Sequence, residues 1–327
     1  MSERDQDLAG VARSRSLEML RTAMGPAIRA ALDDPEVVEI LLNPDGQLWV
    51  DRLGSGREPT GERLDVDDAE RIIRLVAASV RQEVHAERPI LSAELPGRGE
   101  RFEGVLPPVV YAPAFAIRKH AAGVFTLDDY VRDGILTSAQ AAFLREAVAD
   151  RQNILIAGGT SSGKTTFTNA LLAVMAGLND RVIILEDTVE LQCHTDDHVQ
   201  LRTAPGAVSM AALVRSTLRQ RPDRIVVGEV RGAEALDLLK AWGTGHPGGI
   251  ATLHANSAYG ALMRLEQLTL EAASVPPRAL IADTVNVIVF LAGRGAGRRV
   301  REIARVTGLD GERYTLEPIL CSSGDRS

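Results

Sequence analysis

The sequence predicts an α/β protein in two parts: a mainly parallel sheet covered by helices, preceded by a smaller α+β domain. Three observations predict it. From about residue 150 onward, short and nearly continuous apolar runs ("NILIAG", "RVIILED", "RIVVGE", "GIATLHA") alternate with helical segments. That is the pattern of strands buried on both faces of a parallel sheet. The first 120 residues instead mix strand-like runs with amphipathic helices, joined by turn residues. Between the two lies "HAAGVFTLDDYVRDG", which has turn residues and no period. The expected boundaries are an N-terminal α+β domain over 1–120, a linker over 121–136 and the sheet domain over 137–327.

Each element has its own reason. Residues 1 to about 15 are polar and charged, lack the apolar core of a signal peptide and are expected to fray. "SLEMLRTAMGPAIRAALDDP" reads as helix with a break at Gly25-Pro26. "VVEILLN" and "GQLWVDRLG" read as strands joined by a turn from Asn43 to Gly46. "DVDDAERIIRLVAASVRQEV" sets Ile72, Ile73, Leu75, Val76 and Val80 on one side, which makes an amphipathic helix. "RFEGVLPPVV" and "AFAIRK" read as further strands, with the prolines at an edge or in the loop. In the second part, Thr137 and Gln140 form a capping box ahead of "AAFLREAVAD". Strand "NILIAG", a Gly-rich loop and a helix ending near Gly177 follow, then "RVIILED", helix "SMAALVRSTLRQ", "RIVVGE", helix "AEALDLLKAW" and "GIATLHA". "VREIARVTGLDGERYTLEPIL" reads as a hairpin turning at Leu309-Asp310-Gly311.

Composition narrows the function classes. Of the 327 residues, 45% are hydrophobic and 25% charged, the balance of a soluble globular protein. Aromatics are only 4%, so the core is aliphatic. The net charge of −7 argues against a dedicated nucleic-acid binder, which would carry a basic surface. Cys193 and Cys321 form no CxxC pair, so no zinc knuckle or redox motif is visible and a reducing cytosol is the expected setting. The longest apolar runs, such as "VNVIVFLAG", are strand-length, so any membrane contact is peripheral or made through a partner.

The stretch with the clearest chemistry is "GGTSSGKTT": Gly158, Gly159, Thr160, Ser161, Ser162, Gly163, Lys164, Thr165 and Thr166. It matches GxxxxGK[ST] between a predicted strand and a predicted helix. Glycines let backbone N–H groups turn toward phosphate oxygens, and the helix N-terminus adds partial positive charge. Lys164 is then expected on the β- and γ-phosphates and Thr165 on Mg²⁺. No NKxD-type guanine reader is present.

Hydrolysis also needs acids near the phosphates. Glu229 ends the run "RIVVGE", while the position where many phosphate-loop hydrolases carry a Mg²⁺-binding Asp is Gly228 here. Glu186 and Asp187 end a second strand of the same predicted sheet and supply the missing acid. Glu229 is assigned the attacking water and Glu186 the metal shell, directly or through water. His246 and His254 bracket "GHPGGIATLHA". His254 falls where it can read the γ-phosphate and His246 in a Gly-rich loop. For both, the alternative is a hydrogen-bonded structural histidine.

Four stretches in order ("GGTSSGKTT", "ILEDTVEL", "RPDRIVVGEVRGAEA" and "TGHPGGIATLHANS") resemble the Walker A, Asp, Walker B and His boxes of the secretion-superfamily traffic ATPases. The first domain agrees through "ILSAELPGRGERFEGVLPPVV" and "AIRK". The resemblance implies a RecA-like ATPase domain, a homo-hexameric ring, and ATP with Mg²⁺ held between two domains. It also implies arginines supplied by the N-terminal domain, matched by Arg101 and Arg118. Asp187 and Glu190 match the Asp box, and His246 and His254 the His box. The tetracysteine module of the large secretion branch is missing, and so is the AIRAGHL-like signature of pilus retraction. The compact chain is most similar to the type IV secretion and conjugation branch. That implies an ATP-hydrolysing motor at the cytoplasmic face of the inner membrane, partnered by membrane components of the channel and not by nucleic acid directly. The alternatives are a type IV pilus or type II secretion ATPase, or a nucleotide-gated assembly switch with little turnover. One departure is visible: such loops often read GGTGSGKTT, and Ser161 stands at the fourth position, where a serine fits with a negative φ.

Overall fold

The computed structural model describes residues 15–120, 123–204, 206–293 and 297–319. Most of the N-terminal segment expected to fray, the start of the expected linker and Cys321 lie outside the described residues. The chain divides into two compact units, Met1–Ala122 and Gly123–Ser327.

In the first unit, helix α1 (15–23) stops where sequence reading puts the break: Gly25 adopts a φ of +66° and Pro26 opens α2 (Gly25–Asp33). A proline costs nothing there, because the first helical N–H groups have no partner in any case. Strands β1 (Val37–Leu42), β2 (Gln47–Arg52), β3 (Gly56–Arg63), β4 (Ile90–Glu94), β5 (Arg101–Val105) and β6 (Ala114–Arg118) form one antiparallel sheet in the order β3-β2-β1-β6-β5-β4. Alternate residues Ile40, Leu42, Leu48, Val50, Phe102 and Ile117 are buried with Ile28 of α2 and Ile72, Ile73 and Val76 of α3 (Val66–Ser79). β3 and β4 do not stand out in the sequence. They are edge strands, and β3 ("GREPTGER") is exposed along nearly its whole length, so no apolar alternation marks it.

In the second unit the expected linker proves partly helical: α4 (Leu127–Arg132) lies inside it. Its capping box has Thr126 Oγ1 accepting from the Asp129 N–H while the Asp129 carboxylate accepts from the Thr126 N–H. Leu127 and Tyr130 are buried, and the Tyr130 ring meets Phe167 edge-on at 5.2 Å. Six residues are too short for a 3.6-residue period to show.

Helix α5 (Ser138–Ala149), with its Thr137/Gln140 capping box, leads into β7 (Ile154–Gly158), α6 (Lys164–Met175), β8 (Val182–Glu186), β9 (His198–Arg202), α7 (Met210–Thr217) and β10 (Arg224–Val227). Then come α8 (Glu234–Gly243), β11 (Ile250–Leu253), α9 (Ala258–Thr269), α10 (Arg278–Thr284), β12 (Val287–Ala292), β13 (Arg299–Asp310) and β14 (Arg313–Pro318). The sheet order is β14-β13-β12-β7-β11-β10-β8-β9. The run from β12 to β9 is parallel, and β13 and β14 join antiparallel at one end, so the sheet is mixed. Its two faces are covered separately, by α4, α5 and α6 on one side and α7, α8, α9 and α10 on the other. The C-terminal hairpin turns at Gly311-Glu312, not one pair earlier: Asp310 pairs with Arg313, and Gly311 takes the positive φ of +60° that a two-residue hairpin loop needs.

Candidate active site

The second sheet brings the C-terminal ends of β7, β8, β10 and β11 to one edge, and each of the four sequence boxes includes residues that reach it. The glycine positions of the β7–α6 loop are dictated by space and backbone. A Cβ on Gly158 would lie 2.4 Å from Ser162 Oγ and 2.7 Å from Leu291 O. Gly163 caps α6 with a φ of +91°. Ser161 departs from the expectation of a negative φ: it takes +60°. The loop needs a left-handed residue there whatever its side chain, and a non-glycine accepts it at a cost of about 1 kcal/mol.

Lys164 is buried, and its Nζ donates to the carbonyls of Gly158 and Gly159 at 3.1 Å each, with His254 Nδ1 at 3.4 Å. Thr165 Oγ1 donates to Glu190 Oε2 at 3.2 Å. Thr160 and Ser161 are exposed at the loop tip, and Thr166 is half-buried on α6.

The acids separate by what they hold. Glu186 is buried, and its Oε1 accepts the N–H groups of Glu190 and Leu191 at 2.9 Å each. It thereby braces the turn after β8, and the carboxylate that this turn delivers to Thr165 is that of Glu190. Asn169 of α6 fixes the same turn by accepting from the Gln192 N–H at 2.9 Å. The glycine at 228 also has a steric cause, since a Cβ there would lie 3.0 Å from Glu186 Cγ.

Glu229 sits just beyond β10. Its Oε2 accepts from Arg231 Nη2 at 2.6 Å, and its Oε1 lies 2.9 Å from His254 Nε2, close but poorly aligned for a hydrogen bond. Arg231 Nη1 reaches Asp187 Oδ2 at 3.3 Å, and Asp187 Oδ1 accepts from Thr203 Oγ1 at 3.0 Å. Lys164, His254, Glu229, Arg231 and Asp187 therefore form a continuous polar chain across the strand ends. Burial pushes the Glu229 carboxyl upward, but the Arg231 hydrogen bond and the nearby positive charges outweigh it, so its pKa lies below the usual value. Burial and then the Lys164 charge hold the His254 pKa below that of a free imidazole, against the pull of Glu229. The pair is accordingly a carboxylate beside a neutral imidazole at neutral pH.

His246 is not brought to this edge. Its Nδ1 contacts Pro222 O at 2.9 Å, ahead of β10, whereas Glu229 lies beyond that strand's other end. In the first unit, Arg101 and Arg118 are direct cross-strand partners on β5 and β6, and Arg118 Nε lies 3.9 Å from Glu39 Oε1. The sequence reading gave no role to Arg231. Its one cue was an opposite charge two residues beyond Glu229, a spacing that many solvated strand ends share.

The oxygen donors at Thr165 and Glu190 suit a hard cation such as Mg²⁺. Among the described residues no group of three or more His, Cys, Asp or Glu is set to hold a metal. Mg²⁺ characteristically leans on water and phosphate oxygens plus one or two side chains, so the residues fit it.

A phosphate loop at the end of a central strand, flanked by acids from neighbouring strand ends, defines the protein as a P-loop nucleotide-binding protein on an α/β scaffold. The family model described as "Type II/IV secretion system protein" matches residues 37–296. The chain is 52% identical to the probable conjugal transfer protein TrbB of Sinorhizobium fredii, over 93% of both chains. It is 49% identical to the conjugal transfer protein TrbB of Rhizobium radiobacter, over 93% of this chain and 94% of that one. Its fold is similar to that of the pilus retraction motor PilT with bound ADP, at a TM-score of 0.60 and 20% identity, covering 90% of this chain and 83% of that one. The chain belongs to the type II/IV secretion system protein family, and it is an ATPase.

Proposed function

We propose that the chain is the ATP-hydrolysing motor of a conjugal type IV secretion system, built as a homo-hexameric ring of RecA-like ATPase domains. It would work at the cytoplasmic face of the inner membrane, held there by membrane components of the channel. The TrbB similarity over nearly the whole chain supports the branch. Among the described residues no helix is long and apolar enough to cross a membrane.

The observation that carries the hydrolytic reading is the polar chain from Lys164 through His254 to Glu229. The backbone N–H groups of residues 158–166 cradle the phosphates, and Lys164 leaves its carbonyl partners to meet the β- and γ-phosphates. Glu229, anionic and held by Arg231, orients and polarises the attacking water. His254 lies between the two and registers whether a γ-phosphate is present. Thr165 and Glu190 would hold Mg²⁺, which would supply charge to neutralise the developing phosphate charge. Glu186 shapes the turn that presents Glu190, so we place the metal shell on Glu190 and not on Glu186. Arg101 and Arg118 bring guanidinium charge to the transition state in the assembled ring.

Glu229→Gln tests the assignment. It should keep ATP binding and lose about 10²–10⁴ in kcat, the usual contribution of a positioned base. A kcat within a few-fold of wild type would remove Glu229 from the water. Lys164→Ala should abolish turnover in assembled rings.

A further inference from the structure

We propose that Arg298 is a nucleotide-binding residue that brings positive charge to the α- and β-phosphate side of the loop, opposite the hydrolytic residues. This rests on the reading of residues 158–166 as a nucleotide loop.

The sheet order supplies the first argument. β7 lies between β11 and β12. The β11 side leads to His254 and, one strand further, to Glu229, so the γ-phosphate and its water belong there. On the other side, Leu291 of β12 is in register with Gly158, and the connection from β12 to β13 ends on Arg298. The described residues on either side of it approach closely: a Cβ on Gly293 would lie 2.0 Å from Gly297 O and 3.1 Å from the Arg298 N. This places the Arg298 backbone beside Gly293, just past the end of β12.

The second argument is electrostatic. A Cβ on Gly163 would lie 2.7 Å from Arg298 Nε and 2.8 Å from its Cζ, so the guanidinium lies directly against the residue that caps α6. That end of α6 carries partial positive charge, and the ammonium-bearing Lys164 follows immediately. Arg298 Nε is buried with no hydrogen-bond partner among the described residues, and no carboxylate among them pairs with this arginine. A buried guanidinium N–H without an acceptor is costly, and a helix N-terminus beside it adds to the cost. A nucleoside di- or triphosphate in the loop offers anionic oxygens to both, and guanidinium–phosphate contacts are among the stronger charge-assisted hydrogen bonds. Gly163 is thus required twice, for its left-handed backbone and for the space Arg298 occupies.

The test is ADP binding by the full-length protein, measured by titration calorimetry alongside melting with and without ADP. Arg298→Ala should raise the ADP Kd about tenfold, the worth of one charge-assisted hydrogen bond. The KM for ATP should rise in parallel, and Arg298→Lys should recover part of the loss. The nucleotide-free protein should melt at or slightly above the wild-type temperature, since the unpartnered guanidinium is gone, while the upshift caused by ADP shrinks. An ADP affinity within about twofold of wild type overturns the proposal. So does a nucleotide-free Arg298→Ala protein that melts several degrees lower, since that assigns the side chain to packing. Lys164→Ala separates the two readings. If it loses ADP and Arg298→Ala does not, only the Arg298 proposal fails; if it binds ADP like wild type, the nucleotide loop itself is misread.

Discussion

Two residues at the phosphate loop show how local energetics reach the site. Ser161 holds a φ of +60°, a conformation that glycine adopts without a Cβ penalty. Ser161→Gly relieves that strain but frees the unfolded chain, so the net gain should be small, about 0.5–1 kcal/mol, read as a higher denaturation midpoint. A lower midpoint would show that the serine side chain contributes more than its backbone costs. The second case is the Glu229–His254 pair. With the Glu229 pKa below the ordinary carboxylate value and the His254 pKa below that of free imidazole, neither group changes charge on the way up from mildly acidic pH. Turnover should therefore be flat between about pH 6.5 and 8. In Arg231→Ala the hydrogen bond that lowers the Glu229 pKa is gone while burial, which raises it, remains. The acid limb of the kcat profile should move to higher pH; an unmoved limb would separate Arg231 from Glu229. Sequence reading reached Lys164, Glu229 and His254 because each ends a readable strand or opens a readable helix. That Glu190 meets Thr165 was out of its reach, because which of two acids four residues apart faces Thr165 depends on how the turn folds back.

At the scale of elements, the sheet has a second, non-catalytic edge that fixes where the catalytic one lies. Arg224 opens β10 fully buried; its Nε donates to Asp180 Oδ2 at 2.6 Å and its Nη1 to Val148 O at 2.8 Å. Arg151 also pairs with Asp180, and Asn153 Oδ1 accepts the N–H groups of Gly248 and Gly249 at 2.8 and 3.0 Å. These contacts tie α5, β7, β10 and the loop before β11 into one block, and a Cβ on Gly249 would lie 2.0 Å from Trp242 Nε1. The first half of the His box thus serves the block, which is why His246 points to Pro222 and not to phosphate. Arg224→Ala leaves Asp180 short of a partner in the interior and should cost about 3–5 kcal/mol, measured by denaturant unfolding. A loss below about 1 kcal/mol would mean that water or Arg151 replaces the pair fully. The core strands of this sheet were legible because burial on both faces writes them as unbroken apolar runs. β9 ("HVQLR"), half-exposed at the sheet's end, and the short α10 leave no such trace.

At the scale of the whole molecule, the two arginines proposed to act on the phosphates lie in the first unit, and the register of its sheet sets their surroundings. Arg101 and Arg118 face each other across β5 and β6, with Glu94 opposite Arg101 and Glu39 opposite Arg118 on the flanking strands β4 and β1. Like charges directly opposite on a sheet are destabilising, and the acid on each arginine's other side offsets this by a similar amount. Replacing one arginine should therefore leave the fold about as stable as before, and a loss of turnover can be assigned to function. If the arginines act only in the assembled ring, turnover per chain should rise with protein concentration in the wild type, following the oligomer population seen by light scattering. Arg118→Ala should form the same oligomer with an unchanged melting temperature, yet turn over ATP about 10³-fold more slowly, the lower range for an arginine that stabilises phosphoryl transfer. Wild-type turnover that is independent of concentration across the assembly transition would make the single chain the working unit and remove the ring from the mechanism. Full turnover in an assembled Arg118→Ala protein would instead leave the ring standing and return this arginine to the surface of its sheet.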